Sequence, residues 1–232
     1  MIARWLFNDR SRNLIIFCNG WGMDHHPLVV LESGGYDVLA LSDYSTFDLT
    51  FDVDVLTSEY RSIHLVCWSF GVWAGQQLFG DRSDLFAQCI AINGTLRPID
   101  DRFGIPHQFF NATLENYSET VCDRFYRRMC RPGSVLNKFL EHQPQRGVQD
   151  QKIELGCLAE LVASFPEQQS IFDTAIVSSR DMVVPTAHQM SFWSERCPVI
   201  EIEGCHYPFT RWQDWSEILA MQERDEAVPS HH

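Results

Sequence analysis

Three polar residues whose types cooperate in acyl transfer stand far apart in this 232-residue chain: Ser69, Asp181 and His206. Each follows a short apolar run, Ile63 to Trp68, Thr174 to Ser178 and Pro198 to Ile202 respectively. A serine hydroxyl is a poor nucleophile at neutral pH. It needs an imidazole to take its proton, and a carboxylate to hold that imidazole in one tautomer. The expected roles are Ser69 as nucleophile, His206 as general base and then acid, and Asp181 as the orienting carboxylate. Other residues of suitable type are worse placed. Asp173 precedes its strand and so belongs to the wrong end of a sheet, and His64 lies on the amino side of its strand. His188 follows Pro185 into a helix and is expected to be structural. Cys205 is a nucleophile by type, but no tight corner presents it.

The corner that presents Ser69 is the stretch Cys67-Trp68-Ser69-Phe70-Gly71. A buried strand ends at Trp68, and a helix from Phe70 to Phe79 carries apolar residues interleaved with Gly71, Ala74 and Gly75. Strand, one-residue corner and helix make a nucleophile elbow, normally Gly-x-Ser-x-Gly. Here the second glycine is present and Cys67 stands in place of the first. Taken alone, the pattern also fits an ordinary Ser-Gly turn.

The elements that must position these residues follow from the apolar runs. Ile2 to Asn8, Asn13 to Cys18 and Tyr36 to Leu41 are expected strands, as is the run from Gln88 that closes on Asn93-Gly94-Thr95. Several are continuously apolar, as strands covered on both faces should be. Strands alternating with helices predict an α/β fold with a mostly parallel sheet. From about 96 to 170 the strand signal disappears. Helical spacing covers Leu114 to Cys130 and Ile153 to Phe165, punctuated by Pro98, Pro106, Pro132, Pro144 and Pro166, so this stretch is expected to be a helical lid inserted into one domain spanning 1–232. A last helix is expected from about Arg211 to Glu223, followed by a charged tail; the terminal His231-His232 pair carries no weight in the reading.

Formal net charge is −13, which argues against nucleic acid and anionic membranes as partners. No run reaches the length of a signal peptide core or a membrane span. The eight cysteines form no CxxC pair and are expected to be reduced thiols in a cytoplasmic protein rather than disulfides or a zinc site. Nine of the eighteen Lys and Arg fall in the helical stretch, which is therefore expected to be a basic surface on an acidic chain. Arg124, Arg127, Arg128 and Arg131 recur at helical spacing on one face. That face is either simply solvated or a docking surface for an acidic partner.

Ser69, Asp181 and His206 all follow the carboxyl ends of strands, where open α/β sheets place their sites. Their chain order, Ser then Asp then His, is that of the α/β-hydrolase fold. The loop Asn19-Gly20-Trp21-Gly22-Met23-Asp24, after the second strand, is either a tight turn or a loop that aims a backbone N–H at a developing oxyanion. In the second case the donors are the N–H groups of Trp21 and Phe70. His25 and His26 follow and are expected to be solvated.

On these residues the chain resembles the pimeloyl-acyl-carrier-protein methyl ester esterases of biotin synthesis, in particular the BioG group. The matching stretches are Asn19 to Asp24, Asp43-Tyr44, Cys67 to Trp73, Ile92 to Thr95 with Pro98 to Asp101, Gly104 to Pro106, and Gly204 to His206. The BioH esterases share the Gly-Trp-Gly loop and the Trp-Ser elbow but keep a glycine where this chain has Cys67. The resemblance implies hydrolysis of the methyl ester of pimeloyl-acyl-carrier-protein methyl ester through an acyl-enzyme, without metal or organic cofactor. It implies Trp21, Trp68 and Phe70 as walls for the acyl chain. It also gives the Arg124 to Arg131 face a partner, the acidic acyl carrier protein. The rival readings are a broader esterase or thioesterase, a lyase on the same fold, and a binding protein that has lost catalysis. The sequence leaves oligomeric state open, with a monomer as the default.

Overall fold

The computed structural model describes residues 1–165 and 168–221. Seven strands form one sheet: β1 (Ile2–Phe7), β2 (Asn13–Cys18), β3 (Asp37–Ser42), β4 (Ser62–Trp68), β5 (Gln88–Ile92), β6 (Thr174–Ser178) and β7 (Val199–Ile202). Their spatial order is β1-β3-β2-β4-β5-β6-β7. All neighbouring pairs are parallel except β1, which runs antiparallel to β3 at one edge. The sheet is thus the mostly parallel one expected, flanked by helices.

The pleat explains why the inner strands read as unbroken apolar runs. Ile15, Phe17, Val66, Trp68, Ile90 and Ile92 point to one core, while Leu14, Ile16, Cys18, Leu65, Cys67 and Cys89 point to the other. Both faces are covered, so both sets must be apolar. All eight cysteines are free thiols, six of them buried.

A short helix, α1 (Val53–Thr57), precedes β4, and α2 (Phe70–Phe79) follows it. Four helices lie between β5 and β6: α3 (His107–Asn116), α4 (Glu119–Met129), α5 (Gly133–Glu141) and α6 (Val148–Ser164). The single helix expected over Leu114 to Cys130 is two helices. Tyr117 and Ser118 adopt extended backbone between them, and the Tyr117 hydroxyl is drawn inward to Gln151 Oε1 at 2.9 Å. The helical spacing read from the sequence does not cover α5, which starts behind Pro132. The Pro132 carbonyl accepts the N–H groups of Val135 and Leu136, and proline suits a helix start because no N–H is needed there.

After β6 come α7 (Thr186–Trp193), β7 and α8 (Trp215–Leu219). The last helix therefore begins later than expected. Phe209–Arg211 is a 3-10 turn, and Asp214 caps α8 by accepting the Glu217 N–H at 3.2 Å, so helix starts only where a capping side chain stands. The expected end at Glu223, the tail, the histidine pair and Pro166 lie outside the described residues. No helix among the described residues is long and apolar enough to cross a membrane.

Candidate active site

Ser69 occupies the single position between β4 and α2, with φ 58° and ψ −125°. A positive φ is strained for a residue with a side chain, and its neighbours hold it. The Ser69 N–H donates to the Ile92 carbonyl at 2.9 Å. Gly71 lies so close to β2 that a Cβ there would stand 2.1 Å from the Cys18 carbonyl oxygen. The cysteine in the first elbow position is accommodated from the helix side: a Cβ on Gly75 would stand 2.4 Å from the Cys67 sulfur. The room normally left by the missing glycine is supplied one helical turn later.

His206, in the loop after β7, is buried. Its Nε2 lies 2.9 Å from Ser69 Oγ and its Nδ1 lies 2.7 Å from Asp181 Oδ2. With Nδ1–H donated to the carboxylate, Nε2 is left to accept the serine proton. Asp181 has no spare acceptor geometry. Its Oδ1 accepts the N–H groups of Val183 and Val184 at 2.8 and 3.0 Å, and its Oδ2 also accepts Gln189 Nε2 at 2.8 Å. The structure therefore brings Ser69, His206 and Asp181 into one hydrogen-bonded line. The other candidates are elsewhere. Asp173 accepts the Cys89 N–H at 2.8 Å, His188 Nδ1 lies 2.8 Å from the Gly104 carbonyl, and His64 bonds Ser62 at 3.1 Å. Burial pushes the Cys205 thiol up, away from the thiolate, and its sulfur donates to the Tyr207 carbonyl.

Residues outside the triad hold this line in place. Asn93, just past β5, has φ 48°. Its Nδ2 donates to the carbonyls of His206 and Cys205 at 3.0 and 3.2 Å and to Ser178 Oγ at 2.8 Å, while its Oδ1 accepts the Ser178 N–H at 2.8 Å. Trp68 Nε1 donates to the same His206 carbonyl at 2.8 Å. In the sequence Asn93 shows only as part of an Asn-Gly pair closing a strand and of the Ile92 to Thr95 stretch of the resemblance, neither of which gives it a role.

A narrow cavity of about 30 Å³ opens over Ser69 and His206, walled by Trp21, Trp68, Phe70, Phe110 and Phe125. The three expected wall residues all line it. Trp21 packs edge-on against Tyr117 and Phe125. In the Asn19-to-Met23 loop, the N–H groups of Gly20, Gly22 and Met23 all have acceptors. Those of Trp21 and Phe70 have none among the described residues. His25 and His26 lie beside Asp24, away from the triad, with His26 Nδ1 3.0 Å from Asp24 Oδ1.

The arginine face is divided. Arg124, Arg127 and Arg131 are exposed, and Arg131 lies beyond the end of α4. Arg128 turns inward and lines the cavity, where burial works against its charge and Asp181 favours it. The stretch 96–170 is not net basic as a whole, since its nine Lys and Arg meet ten Asp and Glu. Positive charge is concentrated on α4 and its exit.

Similarity to known proteins extends over the whole domain. The chain is 38% identical over 197 residues to a malonyl-[acyl-carrier protein] O-methyltransferase of Bacteroides fragilis, covering 84% of this chain and 40% of that relative. The chain thus spans well under half the length of that protein. It matches the crystal structure of BioG from Haemophilus influenzae with TM-score 0.85 and 34% identity, over 94% of this chain and 99% of that one. An esterase from Exiguobacterium antarcticum shares the fold, with TM-score 0.65 and 12% identity over 98% of this chain and 95% of that one. Residues 2–218 match the family described as pimeloyl-ACP methyl esterase BioG, and the chain belongs to that family.

Proposed function

We propose that this protein hydrolyses the methyl ester of pimeloyl-acyl-carrier-protein methyl ester, releasing methanol and the free terminal carboxylate, by a Ser69-His206-Asp181 triad. The observation that carries the reading is the line from Asp181 through His206 to Ser69, opening into an apolar cavity. A cavity with aromatic walls suits an aliphatic acyl chain, and the family supplies the identity of that chain. The Bacteroides fragilis relative is named for methyl transfer to an acyl-carrier-protein substrate. A methyl ester on a carrier-bound acyl chain is the class of bond this chain would cleave.

The chemistry proceeds in two halves. As Ser69 Oγ attacks the methyl ester carbonyl, its proton passes to His206 Nε2. The carbonyl oxygen becomes an oxyanion held by the N–H groups of Trp21 and Phe70. Asp181 stabilises the imidazolium without taking its proton. His206 then protonates the departing methanol, leaving an acyl-enzyme. Water, deprotonated by the same histidine, attacks that ester, and the serine leaves with its proton restored. None of these steps calls for a metal or an organic cofactor. In this reading the helices α3 to α6 act as a lid over the site. Exposed Arg124, Arg127 and Arg131 meet the acidic carrier protein, whose location implies a cytoplasmic enzyme.

Methyl-pimeloyl carrier protein should be cleaved by the wild type and not by Ser69→Ala, and faster than a p-nitrophenyl ester of similar length. Cleavage of the small ester alone would retain the triad and remove the carrier-bound substrate.

A further inference from the structure

The loop that offers the Trp21 N–H is not held by the sheet alone. Helix α6, from the insertion between β5 and β6, grips it through two residues three positions apart. Glu154 Oε2 accepts the Gly22 N–H at 3.0 Å. Gln151 Nε2 donates to the Gly22 carbonyl at 2.8 Å, and the Gln151 carbonyl accepts the Trp21 indole N–H at 2.7 Å. Gly22 has φ 73°, a conformation glycine adopts freely, so α6 holds a peptide that is otherwise free to turn.

Glu154 is fully buried and does more than hold Gly22. Its Oε1 accepts the Tyr44 N–H at 3.0 Å, which ties in the loop after β3. Arg146, just before α6, pairs with Glu154 Oε2 and with Asp43 Oδ1, the latter at 3.4 Å. One carboxylate thus joins two loops at the carboxyl edge of the sheet to one helix of the insertion.

Burying this carboxylate carries a cost. Burial raises its pKa, and the opposing pull of Arg146 and the two backbone N–H groups does not bring it back. A group with a raised folded pKa favours folding below its unfolded pKa and loses that contribution as pH rises through the folded value. The stabilisation tied to Glu154 therefore falls as pH rises. Its partners, the Gly22 and Tyr44 N–H groups and Arg146, point to a use in positioning.

We propose that Glu154 is a positioning residue for oxyanion binding: with Gln151 it fixes Gly22 immediately after Trp21, so that the Trp21 donor is in place only when α6 is seated against the loop. The proposal rests on Ser69 acting as the nucleophile. It does not depend on the carrier-bound substrate, so a p-nitrophenyl ester serves to test it.

In Glu154→Gln one face of the side chain becomes a donor, so either the Gly22 or the Tyr44 N–H loses its acceptor. The expected result is a fall in kcat of about 10- to 100-fold, smaller than or equal to the loss of a whole oxyanion donor. KM should be nearly unchanged. Affinity for a boronic acid that forms a tetrahedral adduct on serine should fall in parallel with kcat, whereas a non-covalent alcohol of the same chain length should bind as before. The melting temperature of the variant relative to wild type should improve as pH is raised from about 4.5 to 7.5. Unchanged kcat, or joint loss of kcat, KM and melting temperature, would overturn the proposal. Should Glu154→Gln not fold, Gln151→Met releases the Gly22 carbonyl from the same helix and must lower kcat while sparing KM; failure to do so overturns the proposal equally. A wild-type enzyme that a fluorophosphonate does not label at Ser69 would instead remove the functional reading on which the proposal stands.

Discussion

Replacing Asn93 by alanine should loosen the site. The side chain is buried and serves four partners: Ser178 N–H and Oγ at the end of β6, and the carbonyls of Cys205 and His206 in the histidine loop. The His206 carbonyl keeps the Trp68 indole as a donor. The Ser178 N–H and the Cys205 carbonyl lose the amide partners they have here. Each buried backbone group left unsatisfied costs about 1–3 kcal/mol, and alanine is less tolerant than asparagine of the left-handed φ of 48° by roughly 1 kcal/mol. The expected loss is about 3–7 kcal/mol, or about 6–28 °C in melting temperature for a chain of this size. Asn93→Gly keeps the backbone conformation free of strain and should be the milder variant by roughly the conformational share. Urea and thermal unfolding of both variants, with kcat on a p-nitrophenyl ester, would measure this. Because Asn93 holds His206 by its backbone, kcat should fall in both while the fold survives. An alanine variant within about 1 kcal/mol of wild type, or with full kcat, would refute the reasoning that unsatisfied groups set the cost.

Two further outcomes follow from contacts seen in the structure. Gly75→Ala puts a Cβ 2.4 Å from the Cys67 sulfur, but the Cys67 Cβ itself lies 3.7 Å away, so Gly75→Ala should cost about 1–3 kcal/mol and Cys67→Ala in the same chain should recover most of that. Additive losses in a double-mutant cycle of unfolding free energies would show that the elbow has room to relax. Charge reversal of Arg124, Arg127 and Arg131 together should raise KM for the carrier-bound methyl ester about 10-fold or more at low salt, with a flatter salt dependence, and spare the p-nitrophenyl ester. Equal losses on both substrates would remove the docking role of these three residues.

The strands were legible because their cause is local. Leu14 to Phe17 and Leu65 to Trp68 are apolar at every position, and a run of that length covered on both faces has few other structures available. The helix ends inside the insertion were not legible, because distant residues set them. The break at Tyr117 accompanies a hydrogen bond to Gln151, 34 residues on, and α8 starts where Asp214 can cap it rather than where apolar spacing resumes.

The same division runs through the site. Serine, histidine and aspartate advertise their chemistry by type, and the order Ser69, Asp181, His206 after three strands was enough to single them out. Asn93, Gln189, Gln151 and Glu154 advertise nothing. Their partners are 85 to 132 residues away in the case of Ser178 and Gly22, and an amide or a lone glutamate on a helix ordinarily faces water. Only Gln189 stands near its partner in sequence, one face of α7 turned back on Asp181. Yet these residues carry the geometric demand. A triad reacts only if its atoms sit within a few tenths of an ångström of the productive arrangement, and here that arrangement depends on buried hydrogen bonds from β5, α6 and α7. The proposed reacting groups could be read from residue types; the groups that orient them had to be read from contacts. Tests of function that alter only the three proposed reacting residues would therefore leave unmeasured the contacts that position them.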